Sequence, residues 1–395
     1  MKVLLLNHYF WPYDDALALL AADLAEDLAR AGHEVTVLAS SGTGPGGTRL
    51  LHEEAWGGVR IVRTRNTVLG KGALVRRVAD YATYFASAFA TALTLPRPDV
   101  VVATSAPPLL ASVGLAVKRL RGARLVYWLQ DLYPELAVAF GVLGARSPAT
   151  WLAERVSRAA LRGADAVVVP GEPMKARVAA KGVDPARVHV LPNWADGENV
   201  RPVPPEVNAF RQGLGLGDRR VVLYSGNMGR AHDLDTLVGL ARRCRERDDL
   251  AFVFVGGGGR RGVVEAAARE LPNVRLLPFV PREGLAESLS AGDVHLVSQT
   301  PETLGLMEPS KLYGILAAGR PALYVGPPAS EVARTIVREG AGEVVANGDV
   351  EGARAALDRL LRSAPTSAHV RSAFEVRHER RVRTAAIARV LTDAR

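Results

Sequence analysis

The sequence predicts an α/β protein built as two doubly wound parallel-sheet domains in tandem. Three observations carry that prediction. Short apolar runs of strand length alternate with helical patterns from one end of the chain to the other, the arrangement that makes a parallel sheet covered on both faces. At 395 residues the chain is too long for one ordinary core and suits two domains of roughly 150–200 residues. A Pro-containing connection, Arg201–Pro205, separates two such series and places the boundary near Pro192–Pro205.

The first series opens with the strand Lys2–Asn7, a loop over His8–Asp15, a helix from about Ala16 to Ala31 that stops at Gly32, and the strand His33–Ala39. That βαβ unit starts the first sheet. Gly42–Gly47 reads as a flexible loop and Val59–Arg63 as a further strand. The segment Val68–Pro98 sets Lys71, Arg76 and Arg77 before an apolar helical run bearing Tyr81, Tyr84, Phe85 and Phe89. It is either a core helix or an edge offered to an anionic membrane surface. Asp99–Ala103 is a buried strand that delivers Thr104 and Ser105 in TSAPP, and Arg124–Leu129 delivers Asp131 and Glu135 in QDLYPE. Ala166–Pro170 and Val188–Asn193 complete the series.

The second series has strands near Val221–Ser225, Ala251–Val255, Val274–Leu277, Val294–Ser298, Ala322–Val325 and Glu343–Val345. Three Gly-bearing or capped segments follow strands here. They are SGNMGR with Gly226, Asn227, Gly229 and Arg230, the GGGG run with Gly256 and Gly257, and PETLGLMEPSKLYGILAAGRP over 301–321. In an α/β sheet such loops leave the carboxyl ends of strands and line one crevice, where backbone N–H groups and a helix N-terminus suit a phosphate or pyrophosphate. Lys311, one residue into the helix opened by Pro309 and Ser310, adds a full charge. Taken alone, PSK is also an ordinary helix start and AAGRP an ordinary helix stop.

Composition excludes several classes. With 48% hydrophobic and 23% charged residues the chain is globular, and its single Cys rules out an intramolecular disulfide or a cysteine-built metal site. The net charge of +9 is spread over many arginines rather than gathered in a tail, and no recognition helix, zinc spacing or aromatic-basic strand accompanies it, so nucleic acid is not expected as a partner. The first strand lacks the pattern of a signal peptide, and no run reaches the length of a membrane span. A cytoplasmic protein is expected, with peripheral contact on the inner face of the membrane if the Lys71–Leu95 edge is exposed.

A set of motifs carries a resemblance. NHYFWP (7–12), HEVTVL (33–38), DVVVATSAPP (99–108), YWLQDLYPE (127–135), PNWAD (192–196), YSGNMGRAHDLDTL (224–237), FVGGG (254–258), LPFVPREGLAESLSAGDVHLV (277–297) and PSKLYGILAAGRP (309–321) run through nearly the whole chain. In that order they resemble the retaining glycosyltransferases of family 4, which have the two-Rossmann-domain GT-B fold, and most of all the branch of O-antigen and exopolysaccharide synthesis. The resemblance implies a nucleotide-diphosphate sugar as donor, bound by a domain spanning 198–369. It also implies an acceptor, a lipid-linked glycan or a small molecule, on a domain spanning 1–197, and transfer in a cleft between them that closes about the linker. A terminal segment, 370–395, is expected to fold back on the first domain. No cofactor or metal is implied.

Carried over by position, Arg230 and Lys311 stabilise the departing diphosphate, and Gly226, Asn227, Gly229, Gly256, Gly257, Leu306, Met307, Glu308 and Ser310 surround it. Pro278, Phe279 and Val280 run past the nucleobase. His8 and Asp131 join the catalytic set from the acceptor side, with Thr104, Ser105 and Glu135 around the acceptor. Asp233 and Asp235 form a DLD that reads as a helix start rather than a metal site. The chain departs from the family's paired glutamates, since Leu306 and Gly314 stand at those positions and Glu308 and Glu302 are the acids nearby. Tyr13, Asp14 and Asp15 replace the usual glycine pair of the first loop. A non-catalytic nucleotide-sugar-binding subunit and a nucleotide-sugar epimerase of the same fold are the alternatives.

Overall fold

The computed structural model describes residues 1–42, 44, 47–67, 69 and 74–393. The chain divides into two compact units. The first comprises Met1–Leu191, Gly305–Met307 and Thr384–Arg395, and the second Pro192–Leu304 and Glu308–Arg383.

The first unit holds an eight-stranded sheet: β1 (Lys2–Leu6), β2 (Glu34–Ser40), β3 (Glu53–Trp56), β4 (Val59–Thr64), β5 (Val100–Thr104), β6 (Arg124–Trp128), β7 (Ala166–Val169) and β8 (Val188–Val190). Their order is β3-β4-β2-β1-β5-β6-β7-β8, and every pairing is parallel except β3 with β4. Chain order reverses between β1 and β5, so their loops diverge there and leave a crevice at the carboxyl ends. Runs such as VVVAT and AVVV are buried at every position because helices cover both faces. Among the strands, β3 is the one the apolar pattern misses. EEAW is an exposed, charged edge strand, and its pairing rather than its burial makes it a strand.

The helix Leu74–Thr94 settles what its aromatic residues do. Tyr84 is fully buried and its hydroxyl donates to the Asn7 carbonyl at 3.0 Å, while Phe85 and Phe89 pack against the core cluster that contains Ala88 and Ala92. Of the aromatic edge expected to face a membrane, Tyr84 is thus committed to this unit's own core, and Tyr81, Phe85 and Phe89 are half-buried. Lys71 and the Arg77 side chain lie outside the described residues. No helix among the described residues is long and apolar enough to cross a membrane.

The second unit has a six-stranded, all-parallel sheet: β9 (Arg220–Ser225), β10 (Leu250–Val255), β11 (Val274–Leu277), β12 (Val294–Ser298), β13 (Ala322–Val325) and β14 (Gly342–Val345). The order β11-β10-β9-β12-β13-β14 reverses between β9 and β12, which makes the loops after these two strands the walls of this sheet's crevice. The helix Ser367–Arg377 belongs to this unit, its Val370 and Phe374 buried beside Leu316 and Ile336. The return to the first unit thus begins at Thr384, where the hydroxyl donates to Asp27, rather than at residue 370.

Candidate active site

The crevice of the second unit is built on three loops. Gly226 and Gly256 do not offer amides to a ligand, because Gly226 N–H donates to Val255 and Gly256 N–H to Leu277, each extending the ladder by one residue. Their role is close approach: a Cβ on Gly256, whose φ is +132°, would stand 2.2 Å from the Gly226 carbonyl oxygen. With the two loops in contact, the N–H groups of Asn227, Gly229 and Gly257 make no hydrogen bond among the described residues. Free amides at a strand end are what an anion needs. The Phe279 ring, 60% exposed just past β11, lies over Gly256 and Gly257 next to exposed Pro278 and half-buried Val280.

Lys311 comes from the third loop, at the first position of the short helix Lys311–Ala317. Its stem is partly exposed, yet Nζ is buried and has no hydrogen-bond partner among the described residues; it sits 3.8 Å from the centroid of the buried Tyr224 ring. Burial drives its pKa well below the ordinary lysine value. Ser310 makes no side-chain cap to this helix, so PSK is not an ordinary capped start. Arg230 is exposed in the loop after β9. Asp233 caps the next helix through the Thr236 amide at 3.0 Å, and Asp235 pairs with Arg260, which accounts for the DLD without a metal.

Two residues of this crevice escaped the sequence reading. His232 is 5% exposed, with Nδ1 2.7 Å from the Ser298 carbonyl at the end of β12. Since a carbonyl only accepts, Nδ1 carries the proton and Nε2 is a bare lone pair. Burial, then the nearby Lys311, lowers the imidazole to about 3, so it is neutral at physiological pH. The Ser298 hydroxyl is itself buried and unpaired. His232 follows GNMGR by one residue, and a polar residue next to a phosphate-type loop was the available signal.

The PETLGLMEPSK loop splits between the units. Leu306 is buried in the first unit's core, its carbonyl accepts from Leu132 N–H at 2.8 Å, and Met307 bridges Asp131. Gly305, at φ +71°, makes this possible by running 2.8 Å, at its would-be Cβ, from the Pro173 carbonyl. These two residues are thus held by the first unit. Glu308 returns to the second unit, 7% exposed, with neither carboxylate oxygen in a hydrogen bond of ordinary geometry. Desolvation raises it to about 8, and the nearby amides of Glu331 and Val332 pull only partly the other way.

At the first unit's crevice, Thr104 donates to the Asn7 side chain at 2.7 Å and Ser105 Oγ accepts the Gln130 and Asp131 amides at 3.0 Å each. Both hold the loops together. His8 is boxed by Tyr9, Tyr81 and Tyr84, with ring centroids 4.4–5.7 Å away, and desolvation lowers it to about 4 against a smaller opposing pull from Asp80. Glu135 is not free for an acceptor: Lys181 Nζ lies 2.5 Å from it and 2.5 Å from Glu154. Asp131 keeps a carboxyl with no hydrogen bond among the described residues, and burial lifts it to about 6.

Two family models match this chain, a glycosyl transferase 4-like domain over residues 17–194 and glycosyl transferases group 1 over residues 219–363. A putative colanic acid biosynthesis glycosyl transferase, WcaI of Escherichia coli K12, is 28% identical over 347 residues, 84% of this chain and 85% of WcaI. The probable glycosyltransferase WbjE of Pseudomonas aeruginosa is 33% identical over 249 residues, 62% of each chain. Among solved structures, sucrose-phosphate synthase of Thermosynechococcus elongatus superposes with a TM-score of 0.78 at 18% identity, covering the whole of both chains. HepE of Anabaena, solved in complex with UDP-glucose, gives 0.72 at 16% identity, again over both whole chains. Two doubly wound units of this kind are the GT-B architecture of sugar-transferring enzymes. The chain belongs to the family 4 glycosyltransferases.

Proposed function

We propose that this glycosyltransferase moves a sugar from a nucleotide-diphosphate donor to a glycan hydroxyl with retention of configuration and without a divalent metal. The observation that carries the proposal is Lys311, a shielded amine with no hydrogen-bond partner among the described residues, at the sheet's switch point where the amides of Asn227, Gly229 and Gly257 are also unbonded among them. A diphosphate seated there completes all four. Arg230 would close over the outer oxygens, and the exposed Phe279 ring offers a face to the base. Charge that develops on the leaving diphosphate is then met by groups already in place, so they bind the transition state more tightly than the ground state.

In the reaction the bond from the anomeric carbon to the phosphate oxygen breaks. The bond to the acceptor oxygen forms on the same face, and the acceptor proton passes to the departing phosphate. Asp131 accepts a hydrogen bond from the acceptor hydroxyl and orients it, a role open to it above its raised pKa. That HepE is solved with UDP-glucose and that WcaI is described for colanic acid biosynthesis support a uridine nucleotide and a polysaccharide acceptor. Proton NMR of the product's anomeric coupling, in EDTA-treated reactions, tests the proposal: an α-linked product from an α-donor supports it, and inversion or a requirement for added metal overturns it.

A further inference from the structure

The crevice after β9 and β12 encloses an amine with nothing to neutralise it. From β9 it faces the Tyr224 ring, whose hydroxyl is occupied with the Asn227 carbonyl at 2.7 Å. From the following loop it faces Gly226, where a Cβ would stand 3.6 Å from Nζ, and His232, which is neutral and pinned to Ser298. Arg230 of the same loop is exposed and of like sign. On its own segment, Glu308 turns toward Glu331 and Val332 at the start of the helix Glu331–Glu339. Desolvation alone governs Lys311, and no carboxylate opposes it. An ammonium stripped of water without an anion or an acceptor is unstable against its free base, and one aromatic face offsets only part of the lost hydration.

We infer that Lys311 is an uncharged amine in the free enzyme, and that seating the diphosphate of a nucleotide sugar in this crevice drives uptake of one solvent proton onto it. This rests on the donor seat proposed above. The diphosphate brings two negative charges into contact with Nζ, which reverses the preference of the amine from free base to ammonium. His232 takes no part in the titration, because its Nδ1–H is held by Ser298 and burial, then the Lys311 charge, keep the ring neutral. The sign of the coupling follows: a bound state that holds one more proton loses affinity as pH rises, tenfold per unit between the free and the bound pKa of Lys311. The crevice is thus uncharged at its centre until a dianionic diphosphate enters.

Two measurements decide it. Lysine labelled at Cε and Nζ gives few signals, since the chain has six lysines, and Lys311 is assigned by its loss in Lys311→Arg. In the free enzyme at pH 8 its signals should report a neutral amine, and in saturating UDP-glucose an ammonium; an ammonium in the free enzyme overturns the inference. Calorimetric titration with UDP-glucose, whose diphosphate has no group titrating near neutrality, is then run in buffers of different ionisation enthalpy. The expected slope is one proton taken up by the wild type and none by Lys311→Arg, with correct folding of the variant checked by circular dichroism. Binding with zero uptake in the wild type refutes the coupling while leaving the donor seat intact. Failure of UDP-glucose and of every other nucleotide sugar in a panel to bind removes the seat and the coupling together, and the NMR of the free enzyme still reports separately whether Lys311 is neutral.

Discussion

Replacing Glu308 by Gln should make the enzyme more stable, and more so the higher the pH. Glu308 is 7% exposed with neither oxygen in a hydrogen bond of ordinary geometry, and desolvation, only partly opposed by the Glu331 and Val332 amides, raises its pKa from 4.5 to about 8 on folding. Below pH 4.5 folded and unfolded states both hold the proton, and no difference arises. Between 4.5 and 8 the unfolded chain has released a proton that the folded chain keeps, so stability falls as pH rises and levels off above 8. From pH 5 to 7.5 the change amounts to about 3 kcal/mol. Gln has the same shape and never ionises, so it abolishes that slope. For a unit of this size, 1 kcal/mol shifts Tm by roughly 2–4 °C, which puts the variant several degrees above the wild type at pH 7.5 and close to it at pH 5. Thermal scans at both pH values measure this, and parallel pH profiles for the two proteins would refute the argument that desolvation outweighs the nearby amides at this carboxyl.

Gly256→Ala should destabilise the second unit by about 2–4 kcal/mol, seen in urea unfolding, because its Cβ meets the Gly226 carbonyl at a backbone angle that side chains avoid. Lys181→Met should lose roughly 2 kcal/mol by leaving Glu135 and Glu154 facing each other, discounted for their partial exposure, with the KM for donor unchanged. Asp131→Asn should remove an acidic limb near pH 6 from the kcat/KM profile, since the carboxylate is lost as pH falls through that value; an unchanged limb assigns it elsewhere.

The parallel sheets were legible because each buried strand is a short apolar run between Gly or Pro signals, as in VVVAT and LAFVFV. The crossing of the PETLGLMEPSK loop was not. Leu306 is apolar on any reading, and only tertiary packing decides which core takes it. Thr104, Ser105 and Glu135 looked like acceptor groups because they follow strand ends, yet the same position exposes backbone groups that short polar side chains satisfy first, and Glu135 was claimed by a lysine 46 positions later. Gly226 and Gly256 follow strand ends, as their pattern implies, but they serve close approach rather than amide donation. His232 was passed over because nothing local announces that Ser298, 66 residues on, will hold its ring.

The central claim is that Lys311 meets the leaving diphosphate, and nucleoside diphosphate release tests it most directly. Wild-type enzyme and Lys311→Met are incubated in EDTA with a panel of nucleotide sugars, UDP-glucose and UDP-galactose among them, and release is followed by a coupled assay. The account predicts turnover of at least one donor by the wild type and a loss of about 10²–10³-fold in kcat for the variant, the size of losing one preorganised donor to the developing charge. Release by the variant at the wild-type rate, or none from any donor with the wild type, would contradict it.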